Sequence, residues 1–133
     1  MRTKKRILVL DDEAIVCERL QPALERVGFI VETFTDSQAA VDRFSHQHFD
    51  ILITDLKMQK PDGLDVLRFA RDHSADTKVI VITGFATVET AREALKSGAV
   101  DFLPKPFKIS QLRDLVLRIS SAGEEPAASD NEP

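Results

Sequence analysis

Two hydrophobic rhythms alternate along the chain. Short runs rich in β-branched residues recur: RILVL at 6–10, FIVETF at 29–34, ILITD at 51–55, KVIVIT at 78–83 and a brief DFL at 101–103. Between them lie longer stretches whose apolar residues stand three or four apart, as one face of a helix requires. Residues 13–27 carry Ile15, Leu20, Leu24 and Val27 in that spacing. Pro22 falls inside this stretch and removes a backbone donor, which predicts a kink near Glu18. Gly28 supplies a C-terminal stop.

The remaining helices follow the same logic. Asp36 or Ser37 caps a helix running to about His46. Residues 63–72 place Leu64, Leu67 and Ala70 on one face. Residues 87–97 form a helix closed by Gly98. Ser110 is expected to cap a last helix carrying Leu112, Leu115, Val116 and Ile119. Near-continuous apolar strands alternating with helices predict an α/β fold, a parallel sheet covered on both faces. In such three-layer sandwiches, ligands sit beyond the carboxyl ends of the strands, where strand order reverses. The flavodoxin-like order 2-1-3-4-5, with five strands and five helices, is the arrangement expected here.

That rule directs attention to the strand ends. The first strand ends in Asp11 and Asp12, the third in Asp55 and the fourth in Thr83. The fifth is followed by Lys105 between two prolines. Taken singly, these are a helix cap, a turn aspartate, a strand-end threonine and a loop lysine. Brought to one rim, three carboxylates would repel one another and raise each other's pKa. A hard divalent cation such as Mg²⁺, which prefers oxygen ligands, relieves that conflict. A lysine ammonium and a threonine hydroxyl beside it suit a phosphoryl group. An aspartate held there can act as nucleophile and form an acyl phosphate, which gives Asp55 the acceptor role.

Composition narrows the alternatives. The net charge of −4 comes from residues 121–133, which hold four acids and no base, leaving residues 1–120 with 18 basic and 18 acidic side chains. A neutral domain has no bulk attraction to nucleic acid. Apolar runs of about five residues are far short of the roughly 20 that span a bilayer. Cys17 is the single cysteine, which excludes an internal disulfide and fits a reducing cytoplasm. Cys17 itself is expected to have no chemical role. His46, His48 and His73 lack ligand spacing and are expected at the surface. The chain divides into a domain at 1–120 and an acidic tail at 121–133 that is expected to be disordered.

LDDE at 10–13, ITD at 53–55, ITG at 82–84 and LPKPF at 103–107, in this order at four strand ends, resemble the receiver domain of two-component response regulators. The resemblance covers residues 5–120. It implies that Asp55 is phosphorylated by a histidine kinase or histidine phosphotransfer protein. It implies Mg²⁺ bound by Asp12, Asp55 and the Lys57 carbonyl, with Asp11 acting mainly through water. Lys105 would pair with the carboxylate or the phosphoryl group, while Thr83 and Phe102 act as the switch. The output face would be the fourth helix, fifth strand and fifth helix, residues 87–119, docking a downstream protein or a second copy. Such a module is no enzyme beyond its own phosphorylation and dephosphorylation.

The motif departs from the family after the acceptor, where Gln59 stands at the usual proline and a proline follows at Pro61. The segment from 82 to 107 is similar to receivers that precede an ATPase and a DNA-binding module. The present chain is expected to be a stand-alone receiver. Lys57 and Phe85, two residues beyond Asp55 and Thr83, are expected to tune phosphoryl lifetime. The rival is a non-phosphorylated interaction domain. A phosphatase would want an acid at position 57, and a dinucleotide-binding domain would show G-x-G-x-x-G after the first strand.

Overall fold

The computed structural model describes residues 4–56, 58 and 61–122. Ten elements alternate: β1 (Arg6–Leu10), α1 (Ala14–Arg26), β2 (Ile30–Phe34), α2 (Ser37–His46), β3 (Ile51–Asp55), α3 (Gly63–His73), β4 (Lys78–Thr83), α4 (Val88–Lys96), β5 (Asp101–Pro104) and α5 (Ile109–Ala122). The five strands form one sheet in the order β2-β1-β3-β4-β5, and every pairing is parallel. This is the expected flavodoxin-like sandwich.

Strand periodicity builds the two cores. Side chains alternate across a strand, so Ile7, Val9, Ile51, Ile53, Ile80 and Ile82 face one side. There they meet Cys17, Leu20 and Leu24 of α1 and Leu112, Leu115 and Val116 of α5. Leu8, Leu10, Leu52, Val79 and Val81 face the other side, against Ala40 and Phe44 of α2, Val66, Leu67 and Ala70 of α3, and Ala94 of α4. All five residues of the central strand β3 are buried. Both faces being covered explains why the strands read as apolar runs rather than as alternation.

Several local expectations are corrected. Ile15 and Val27 are exposed, at 52% and 37%. The buried stripe of α1 is Cys17, Leu20 and Leu24, so Cys17 is a core residue. On α3, Val66 is buried with Leu67 and Ala70, whereas Leu64 is only partly covered. Ser110 is not the cap of α5, because the helix begins one residue earlier and its first turn bonds back to the Lys108 carbonyl. α5 also extends through Ser121 and Ala122, past the expected boundary at 120. The expectation of a disordered tail otherwise falls on 123–133, outside the described residues. Pro22 sits inside α1, which continues through it to Arg26.

Asp36 caps α2 as expected, accepting from Ala39 N. Asp62 and Asp65 form a reciprocal capping box that starts α3, and Thr87 with Thr90 does the same for α4. These boxes fix where each helix leaves the carboxyl edge of the sheet. No helix among the described residues is long and apolar enough to cross a membrane.

Candidate phosphoryl-acceptor site

Strand register brings the acids together. Leu10 pairs with Thr54, and Asp55 pairs with Ile82. Asp11 and Asp55, the residues after that first pair, therefore emerge side by side. Asp11 is anchored by its own backbone, whose N–H donates to the Phe34 carbonyl at 3.0 Å. Asp11, Asp12 and Asp55 each offer a carboxylate oxygen within 4.8 Å of the others. Asp11 is fully buried and Asp55 nearly so, at 0% and 6% exposure, while Asp12 faces solvent.

Lys105 is delivered from the other side of the rim. Its N–H donates to the Thr83 carbonyl at 2.8 Å, extending the β4–β5 ladder by one residue. Its Nζ lies 2.8 Å from Asp11 Oδ2, 2.8 Å from Glu13 Oε1 and 3.1 Å from Asp55 Oδ2. Burial works against the ammonium, but the three carboxylates outweigh it, and the Lys105 pKa is raised above its ordinary value. Burial pushes the Asp11 carboxyl up despite the pull of Lys105. The exposed Glu13 carboxyl is held below the usual range by its Lys105 contact.

Asp11 Oδ1 accepts from Glu13 N at 2.8 Å. Among the described residues, Asp11 Oδ2 is the buried side-chain oxygen without a hydrogen-bond partner. Its Lys105 contact is an ion pair outside hydrogen-bond geometry. Three carboxylates thus share one ammonium, and Asp12 adds a fourth acid beside Asp11 and Asp55. Oxygen ligands of a six-coordinate Mg²⁺ at about 2.1 Å lie about 3 to 4 Å apart, a spacing that small side-chain shifts in the acid trio reach. The orphaned Asp11 oxygen and the hard-oxygen donor set fit such an ion.

A cleft of about 730 Å³ opens over these groups, lined by Asp12, Glu13, Asp55, Met58, Gly84, Phe85 and Lys105. Thr83 is fully buried at the end of β4, and its Oγ1 accepts from Phe85 N at 3.0 Å. Phe85 is 61% exposed. Phe102 is half-buried against the α2, α3 and α4 side of the sheet. Lys57 and Gln59 fall outside the described residues, so the carbonyl ligand expected of Lys57 does too. The three histidines are exposed, His73 being stacked on Phe69.

Three contributors carried no predicted role. Glu13 stood in the quoted LDDE, and an acid at a helix start was its only signal. Cys17 donates Sγ–H to the carbonyls of Asp11 and Phe34 at 3.7 and 3.6 Å, tying α1 to the base of the site. Gly63 approaches the Asp55 backbone with no room for a Cβ.

Residues 7–117 match the family described as response regulator receiver domain. The chain belongs to the response regulator receiver domain family. The receiver is 37% identical over 118 residues to the Regulatory protein AtoC of Escherichia coli (strain K12), covering 89% of this chain and 26% of that protein. It is 34% identical over 130 residues to the Transcriptional regulatory protein FixJ of Bradyrhizobium diazoefficiens, covering 98% of this chain and 63% of that one. The receiver thus spans less than two thirds of these relatives. Among solved structures, a response regulator from Thermotoga maritima superposes with a TM-score of 0.82 at 28% identity, covering 90% of this chain and 99% of that one. The receiver domain of the Francisella response regulator 1452 gives 0.84 at 26% identity, covering 91% and 100%. Receivers are signalling modules rather than classical enzymes, and the reading as a non-phosphorylated interaction domain is not favoured.

Proposed function

We propose that this receiver accepts a phosphoryl group on Asp55 from the phosphohistidine of a histidine kinase or phosphotransfer protein, and signals by the change that follows. An Asp55 oxygen attacks phosphorus as the P–N bond breaks, and the imidazole nitrogen leaves with the bonding pair. Asp11, Asp12 and Asp55 would hold Mg²⁺, with the Lys57 carbonyl as the further ligand that the family resemblance implies. When bound, the ion supplies neutralisation of charge on the phosphoryl oxygens. Lys105 adds a fixed positive charge at the same rim. The chain's contribution is positioning and electrostatic complementarity at a preorganised site.

The observation that carries this reading is the ammonium of Lys105 lying between the buried Asp11 and Asp55, within a trio of acids close enough to share an ion. Thr83 and Phe102 are the switch in this reading. The Thr83 hydroxyl turns toward the phosphoryl group, and the Phe102 ring buries further. The responding surface is α4, β5 and α5, docking a downstream protein or a second copy by a shift between two states. Phe85, exposed over the cleft, and Lys57 set how readily water reaches the phosphoryl group. The cytoplasm is the compartment in which such a kinase partner would meet it.

The test is incubation with acetyl phosphate and Mg²⁺, read by intact mass. One added phosphoryl group is expected on the unsubstituted chain and none on Asp55→Asn. No adduct with Mg²⁺ present, or an adduct persisting in Asp55→Asn, overturns the proposal.

A further inference from the structure

Glu13 holds the N-cap position of α1, where Ser, Thr, Asp or Asn is preferred because a short side chain can turn back onto the first free N–H groups. Glu13 makes no such side-chain bond. Its backbone serves the local structure, donating to Asp11 Oδ1 and accepting from Val16 N. The carboxylate instead crosses the rim to Lys105 Nζ, 92 positions away in sequence, at 2.8 Å.

An ammonium has three donors, and three carboxylates surround this one. The contacts to Asp11 and Glu13 are both 2.8 Å, while the contact to the acceptor Asp55 is longer, at 3.1 Å. Glu13 is also the most exposed of the three, its side chain at 59% against 0% and 8%. It is the partner that Lys105 gives up most easily to a competing anion.

The geometry points to Glu13 as a positioning residue that draws the Lys105 ammonium toward the start of α1, leaving the oxygens of Asp55 less tightly paired and more available to the metal ion and the phosphoryl donor. This rests on the reading of the acid cluster proposed above. Without the reach of Glu13, the ammonium settles on Asp11 and Asp55, where it competes with Mg²⁺ for the same oxygens. Once a phosphoryl group stands on Asp55, its oxygens replace Glu13 as partners of Lys105.

Calorimetric titration of the full chain with MgCl₂ tests this. Glu13→Gln removes both charge and reach, whereas Glu13→Asp keeps the charge and shortens the reach. Each is expected to weaken Mg²⁺ binding about two- to fivefold, the scale of an exposed ion pair. In a Lys105→Met background, Glu13→Gln is expected to change affinity by less than about 1.5-fold, because the residue through which it acts is gone. An undiminished effect in that background, or unchanged affinity in Glu13→Asp, overturns the positioning role.

A second cycle without metal uses melting temperature. Glu13→Gln and Lys105→Met are expected to be non-additive, and additive shifts would also overturn the role. Absence of Mg²⁺ binding by the unsubstituted chain would overturn the reading of the acid cluster instead, and the metal-free cycle then decides the Glu13–Lys105 coupling independently.

Discussion

Gly63 lies directly against the backbone of Asp55. A Cβ at position 63 would fall 2.5 Å from Leu56 Cα and 2.8 Å from the Asp55 carbonyl carbon. The Gly63 N–H meanwhile donates to the Leu56 carbonyl at 3.0 Å. The first residue of α3 therefore serves as the floor beneath the end of β3, and its need is for space, since its φ is not in the left-handed region.

Gly63→Ala is expected to destabilise the domain by about 3 kcal/mol, at the upper end for overpacking because both clashing groups are backbone. Urea unfolding measures the loss. The same displacement tilts Asp55 at the site, so acetyl phosphate labelling should slow in protein that is still folded. A variant with unchanged stability would show that the loop gives way freely.

A divalent ion shared by Asp11, Asp12 and Asp55, as proposed, would stabilise the folded chain by mass action. At ten times its dissociation constant, Mg²⁺ should raise the melting temperature by about 5 °C. Chelation with EDTA should reverse the rise. Asp12→Asn removes the most exposed ligand and should abolish most of the shift with little effect on the metal-free fold. Thermal melts followed by circular dichroism, with and without chelator, read both.

Away from the site, Glu32 on β2 receives two hydrogen bonds from Arg43 on α2, each 2.8 Å. Those bonds, above all, hold the Glu32 carboxyl below its usual range. A carboxyl depressed in the folded state contributes stability above its unfolded pKa, and that contribution is lost as pH falls through the folded value. Glu32→Gln should cost about 0.5 kcal/mol at pH 7, a small figure because the pair is partly in water. The gap between the two proteins should close on acidification. Paired urea titrations from pH 7 down into the acid range test the sign.

Cys17 is 5% exposed, and burial, with the nearby Asp11 charge, pushes its thiol pKa up. Reaction requires the thiolate and access. A disulfide reagent at neutral pH should label native Cys17 on the order of a hundredfold more slowly than the urea-unfolded chain. Fast labelling without denaturant would mean that α1 opens locally away from β1.

Much of this architecture was legible in the linear pattern. The bounds of β1, β3 and β4 follow from apolar runs that end abruptly in a polar residue. Such runs mark strands buried on both faces, and the signal for that burial lies within each strand's own sequence. Asp36 was readable as a cap for the same reason, since its bond to Ala39 spans three residues. Given parallel strands in the order 2-1-3-4-5, Asp11, Asp12, Asp55, Thr83 and Lys105 had to stand at one edge of the sheet. Local rules were weaker where helix starts depend on neighbours. Ser110 is a better cap by residue type than Lys108, yet α5 begins at Ile109, where the partly buried side chains of Phe107 and Ile109 pack on the core.

By itself, then, the sequence determined which residues share the rim and which chemistry their types permit. Only the tertiary structure decided how they meet: that Lys105 is divided among Asp11, Glu13 and Asp55, that Cys17 seals the base of Asp11, and that Gly63 abuts Asp55. The strands and helices follow from patterns repeated within each element, but these contacts join residues as far apart in sequence as Asp11 and Lys105. Their distances are set by strand register, by sheet twist and by how α1 and α3 seat on the two cores, none of which any single stretch of chain encodes.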